Sequence, residues 1–102
     1  MMFFLYILHS PNNDKYYIGH SSDPWLRLSH HNTDDKDTFT SKCRPWVLAA
    51  VFEVGNTRSE ALSMERFIKK QKSRKFIEQL IDPEFIPQSS LAQLVRVPHV
   101  RD

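Results

Sequence analysis

A chain of 102 residues holds one domain and one modest core, since a domain of this size buries roughly 60–70% of the surface its unfolded chain exposes. Hydrophobic residues make up 40% and charged residues 25%, with two glycines and six prolines, which excludes low-complexity and collagen-like classes. The net charge of +2 is too small to name a partner, and the single cysteine, Cys43, excludes an internal disulfide. The histidines and the cysteine show no zinc-type spacing, and a reducing, cytoplasmic setting is the expectation. Met1 to Leu8 is apolar but short, without a basic start or a small-residue cleavage site, so no signal peptide is expected. No run approaches the ~20 apolar residues of a membrane span.

Phe3 to Leu8 is rich in β-formers and predicts a buried strand. Ser10 to Asp14 is a cluster of turn residues, and Lys15 to Gly19 resumes as a strand, so the two make a hairpin, with Gly19 ending the second arm where only a small residue fits. Ser22-Asp23-Pro24 starts a helix, with Ser22 or Asp23 as cap and proline at the first helical position, running to about His31. Asn32 to Lys42 is polar and predicts a loop. Trp46 to Val54 is almost wholly apolar and predicts a central strand, followed by a turn at Gly55-Asn56. Thr57 or Ser59 caps a second helix with an apolar stripe of Ala61, Leu62, Met64 and Ile68. A third helix spans Ser73 to Ile81, and Asp82-Pro83 stops it. The domain is therefore placed at residues 1–82, and the proline-bearing tail at 83–102 is expected to be poorly packed.

Charge is unevenly spread. Between Arg58 and Lys75 lie seven basic residues and two acidic ones, a local charge of +5. Arg58, Arg66, Lys69, Lys70 and Lys72 in this stretch are the candidates for contacting nucleic-acid phosphates, although a solvated helix face gives the same pattern.

Three further features bear on chemistry. Tyr6 and Tyr17 lie on the two arms of the hairpin, where alternation can put both hydroxyls on one face of the sheet and Tyr16 on the other. Arg27 and His31 are four apart on the first helix and share a face, pairing a guanidinium fork with an imidazole suited to moving protons near neutral pH. His20 and His30 lie nearby with no spacing argument of their own. Glu65 falls between Ala61 and Leu62 on the circumference of the second helix. A carboxylate directed at a core is costly unless it is paired, here with Arg27 as the expected partner, or binds a metal.

Tyr6, then Tyr17-Ile18-Gly19, then Arg27 and His31, then Glu65 resemble, in order and spacing, the signature of the GIY-YIG nucleases over roughly residues 3–81. Leu5-Tyr6-Ile7-Leu8 stands where the family's Gly-Ile-Tyr would be, as in its small free-standing members. The resemblance implies an α+β fold in the broad α/β class, a three-stranded antiparallel sheet flanked by helices. It implies cleavage of DNA phosphodiester bonds, with Glu65 holding one divalent metal, Mg²⁺ or Mn²⁺. Tyr17 then activates or orients a water, Arg27 steadies the phosphate charge, and Tyr6 and His31 position groups or move protons. The asparagine that larger members carry after the glutamate has no counterpart here, since none follows Asn56. Without a recognition module, phosphate contacts position the DNA but do not specify its sequence. The expected substrate is branched or damaged DNA in repair or recombination. The alternatives are a binding module of the same fold without efficient chemistry and a subunit that needs a protein partner; the oligomeric state stays open.

Overall fold

The computed structural model of the chain describes residues 1–33 and 39–98. Strands β1 (Phe3–Ser10) and β2 (Lys15–Ser21) form the antiparallel hairpin. Its turn closes with the Asp14 amide donating to the Ser10 carbonyl at 2.7 Å, Asp14 standing at φ 51°, a conformation aspartate tolerates better than most residues. Strand β3 (Val47–Gly55) pairs with the other side of β1, and a short β4 (Val95–Arg96) pairs with β3, giving the order β2-β1-β3-β4.

Strand alternation divides the side chains between two layers. On one face Leu5, Ile7, Ile18 and Phe52 pack against Ala61, Met64 and Ile68 of helix α3 (Arg58–Lys70) and Leu80 of helix α4 (Arg74–Ile81). On the other, Tyr6, Leu8, Trp46 and Val51 lie with Leu28 of helix α1 (Pro24–Thr33) and with Cys43, which follows the short helix α2 (Phe39–Lys42).

Local signals set the helix starts. Asp23 Oδ1 accepts from the Leu26 amide at 3.0 Å, with Pro24 opening α1. Thr57 caps α3, accepting from the Glu60 amide at 3.2 Å and donating to its carboxylate at 2.9 Å. Ser73 caps α4 through the Phe76 amide at 3.1 Å. At the far end of α1, the Asn32 side chain donates to the Trp46 carbonyl (3.0 Å) and accepts from the Trp46 amide (2.7 Å), tying the helix to the start of β3.

Several expectations are corrected. The sheet has four strands rather than three, because the tail returns to cover the outer edge of β3. The tail is not poorly packed within its described part: Leu91 and Leu94 are 6% and 4% exposed, Phe85 joins the same core, and Arg96 donates to the Leu80 and Asp82 carbonyls at 2.6 and 2.8 Å. Those carbonyls end α4, and a guanidinium satisfies them where the helix has no further amides. Residues 99–102 lie outside the described residues. The second strand continues past Gly19 to Ser21, the first helix reaches Thr33, and Phe39–Lys42 is helical, while residues 34–38 of the expected loop lie outside the described residues. Among the described residues no helix is long and apolar enough to cross a membrane.

Candidate active site

The site lies along the outer edge of β2, which no strand pairs among the described residues. In the hairpin register Tyr6 faces Gly19 and Leu8 faces Tyr17, so the two tyrosines are diagonal neighbours on one face, their rings 6.3 Å apart. Tyr16 points to the opposite face, as expected, where its ring meets His9 at 4.8 Å and the Arg74 guanidinium at 4.9 Å.

Helix α1 crosses the tyrosine face and presents His31. Its Nε2 is 3.1 Å from the Tyr6 hydroxyl, and its ring lies 4.6 Å from that of Tyr17. Trp46 closes the back of Tyr17 at 6.4 Å, edge to face. The Arg44 Nε donates to the His31 carbonyl at 2.6 Å, fixing the end of the helix from the other side. Arg27, one turn earlier on α1, is exposed. His31 is 8% exposed, and burial, followed by repulsion from Arg27, His30 and Arg44, pushes its pKa down to about 4. This corrects the expectation of a group that titrates near neutrality: at pH 7 His31 is a neutral imidazole. Burial raises the Tyr6 pKa, an effect that Arg27 partly offsets and that Tyr17 and Glu65 reinforce, so Tyr6 stays a phenol.

Gly19 is what lets this arrangement close. A Cβ there would lie 2.6 Å from both Cζ and the hydroxyl of Tyr6 and 3.1 Å from Tyr17 Cε1. Its backbone has no positive φ, so the requirement is for room alone. Gly19→Ala is expected to push the Tyr6 ring off His31, at a cost of about 1–3 kcal/mol from overpacking, and to lower activity. Thermal melts and the NMR titration of His31 check this; an unchanged His31 titration would show that the ring adapts without leaving it.

Glu65 reaches the site from the other face of the sheet. It stands at the margin of the buried face of α3, not within it: Ala61, Met64 and Ile68 are buried, whereas Leu62 and Glu65 are half-buried. Its partner is not Arg27. Oε1 accepts from or pairs with His20 Nδ1 at 2.7 Å, and Oε2 accepts from Lys69 Nζ at 2.9 Å. Burial acts to raise the Glu65 pKa, but the hydrogen bonds of Lys69 and His20 and their charges outweigh it, holding the carboxyl below the usual range. Lys69 Nζ is also 5.7 Å from the centre of the Tyr17 ring, so this side chain bridges the two faces around the edge of β2.

The sequence reading missed His20. The signal was available: two residues from Ile18 on a strand, His20 shares its face and looks toward α3. Of the five basic candidates, Lys69 and Lys72 come to the site. Arg58 stacks over Phe3 at 4.9 Å, near the start of β1. Arg66 and Lys70 are exposed, about 100° and 140° around the helix from Glu65, on the outer surface.

Among the described residues no group of three or more His, Cys, Asp or Glu converges as a metal cage. Glu65 nonetheless suits a hard divalent ion. It is an ionised carboxylate, 14% exposed, and each oxygen keeps a lone pair beyond the one engaged by His20 or Lys69. An ion that retains most of its water, as Mg²⁺ does, needs only one or two such ligands.

The sequence model of the GIY-YIG catalytic domain matches residues 2–78. No curated protein matches the chain. A solved structure, the UPF0213 protein BH0048 from Bacillus halodurans determined by solution NMR, is similar at 26% sequence identity and a TM-score of 0.49, over 85% of this chain and 89% of that one.

Proposed function

This chain belongs to the GIY-YIG family, a nuclease-type family, and from that premise we propose that it is an endonuclease hydrolysing DNA phosphodiester bonds with the aid of one divalent metal, Mg²⁺ or Mn²⁺. The observation that supports this reading is the contiguity of the Tyr6–His31–Tyr17 cluster with Glu65 around one open strand edge. Phosphodiester hydrolysis needs an aligned water, a destination for its proton and neutralisation of the charge growing on phosphate. Tyr17 orients the water. Tyr6, a phenol at neutral pH, relays the water's proton to His31, which takes the Nδ1–H tautomer, accepts through Nε2 and holds the proton only transiently before it returns through Tyr6 to the leaving oxygen. A neutral imidazole is the form that can accept, so the low pKa of His31 suits a relay and not a standing acid. Arg27, exposed beside Tyr6, forks two phosphate oxygens. When bound at Glu65, the metal supplies charge stabilisation to the phosphate.

Among the described residues the site offers phosphate contacts, which position DNA without specifying its sequence, and the proposed class is DNA distinguished by shape, the branched or damaged DNA of repair or recombination. A binding module of the same fold is the competing reading, and the engagement of Glu65 by both His20 and Lys69 favours it. Incubating the protein with branched, nicked and linear DNA, with Mn²⁺ and with chelator, separates the two. Tyr17→Phe keeps the ring and its contacts while removing one hydroxyl. It is expected to retain the parent's melting temperature and lose about 10²–10³-fold in cleavage rate, the range for removing one positioned polar group. Parent-level cleavage by this variant would remove Tyr17 from the mechanism.

A further inference from the structure

Beside Tyr17, on the open side of β2, lies a concavity of about 230 Å³ bounded by Tyr16, Tyr17, Ile68, Lys69, Lys72 and Ser73. We propose that this concavity is a second phosphate subsite, which holds a non-scissile phosphate of the DNA strand next to the one at Tyr17, with Lys72 as its principal cation. The inference rests on the reading of the site as DNA-cleaving and adds to it a specific neighbouring contact.

Two observations carry it. The first is composition and place: the lining joins the catalytic candidate Tyr17 to two lysines and to the apolar Ile18, Ile68 and Ile77. Lys69 and Lys72 share this lining with Tyr17, whereas the exposed Arg66 and Lys70 do not join it. The second is backbone conformation. Helix α3 ends through the Gln71 amide on the Ile68 carbonyl (3.2 Å) and the Lys72 amide on the Lys69 carbonyl (3.2 Å), with Lys72 at φ 48°. Glycine is the residue that helix ends favour in this conformation, and a lysine there is strained. Strain retained at a residue that lines a basic concavity beside the reacting group fits a side chain kept for its position. The plainer account is that lysines along an open strand edge discourage edge-to-edge pairing. It predicts no effect of Lys72 on DNA binding.

The test uses the full chain and a fluorescent duplex oligonucleotide in chelator, so that binding is read without cleavage. Lys72→Gly is expected to melt a few degrees higher and yet to bind several-fold more weakly at low salt, with the slope of log K against log salt reduced by about 0.9. Lys72→Gln should show the same binding loss without the gain in melting temperature, and Lys70→Gln, an equal change of charge on the outer surface, should bind as the parent does. Lys72 variants with parental affinity and slope would overturn the proposal, as would an equal loss in Lys70→Gln, which would reduce the effect to net charge. A parent that binds with this Lys72 dependence but cuts no DNA removes the nuclease reading, and with it the distinction between scissile and non-scissile phosphates, and leaves Lys72 as a phosphate contact of a binding module. A parent that cuts, with Lys72 silent in binding, does the reverse.

Discussion

Glu65→Gln is expected to abolish cleavage while leaving a folded but weakened domain. An amide is a poor ligand for a hard divalent cation, and losing the several kcal/mol of charge stabilisation a metal supplies lowers the rate by about 10³-fold or more. From the sequence, this carboxylate is either paired, with Arg27 as the expected partner, or a metal ligand. The structure pairs it with His20 and Lys69 instead, so its neutralisation is not harmless to the fold. Removing the charge forfeits two charge-assisted hydrogen bonds. Lys69 is 49% exposed, so solvent screens its share, and the net cost is about 1–2 kcal/mol. Each kcal/mol lowers the melting temperature of a domain this size by roughly 4–8 °C. The difference should depend on pH. With the folded-state pKa of Glu65 below its usual value, the stabilisation is complete above the ordinary glutamate range and is lost as pH falls through the folded pKa. Parent and variant should therefore converge in acid. Melts across pH, with cleavage assays in Mn²⁺, measure both effects; a variant that is destabilised but still cuts at the parental rate would make Glu65 a structural ion-pair residue only.

Deleting Glu84 to Asp102 is expected to destroy cooperative folding. The deletion lies beyond the segment that matches the family's catalytic domain, yet it removes Leu91 and Leu94 from the core formed with α3 and α4. Truncating one buried leucine to alanine costs about 2–5 kcal/mol, so losing both approaches the whole stability of a small domain, about 5–15 kcal/mol. The same deletion unpairs the edge of β3, removing the bond from the Val97 amide to the Val51 carbonyl at 2.9 Å and the Gln93 side-chain bond to Val54 at 3.2 Å. It also strips Arg96 from the carbonyls ending α4 and from the face of Phe52, 4.8 Å away. Circular dichroism melts of the truncated chain check this, and Leu94→Ala supplies a graded probe with a loss of about 2–5 kcal/mol. A truncation with a parental melting temperature would mean that the segment rests on a core complete without it.

What the sequence by itself determined are the features written in short-range periodicity and local chemistry. Period-two alternation puts Tyr6 and Tyr17 on one face and Tyr16 on the other, and helical spacing brings Arg27 and His31 to one side of α1. Pro24, Thr57 and Ser73 mark helix starts because caps satisfy amides within three residues. The tertiary structure alone decided what depends on contacts far apart in the chain. His20 and Glu65 are 45 positions apart, and nothing local to either says that the strand and helix will bring them to 2.7 Å. The low pKa of His31 follows from burial beneath the tyrosines, which no spacing records. The tail was misread for the same reason: Leu91 and Leu94 stand in a segment with no sustained period, and their burial exists only because β3 and α3 leave an apolar surface that they complete.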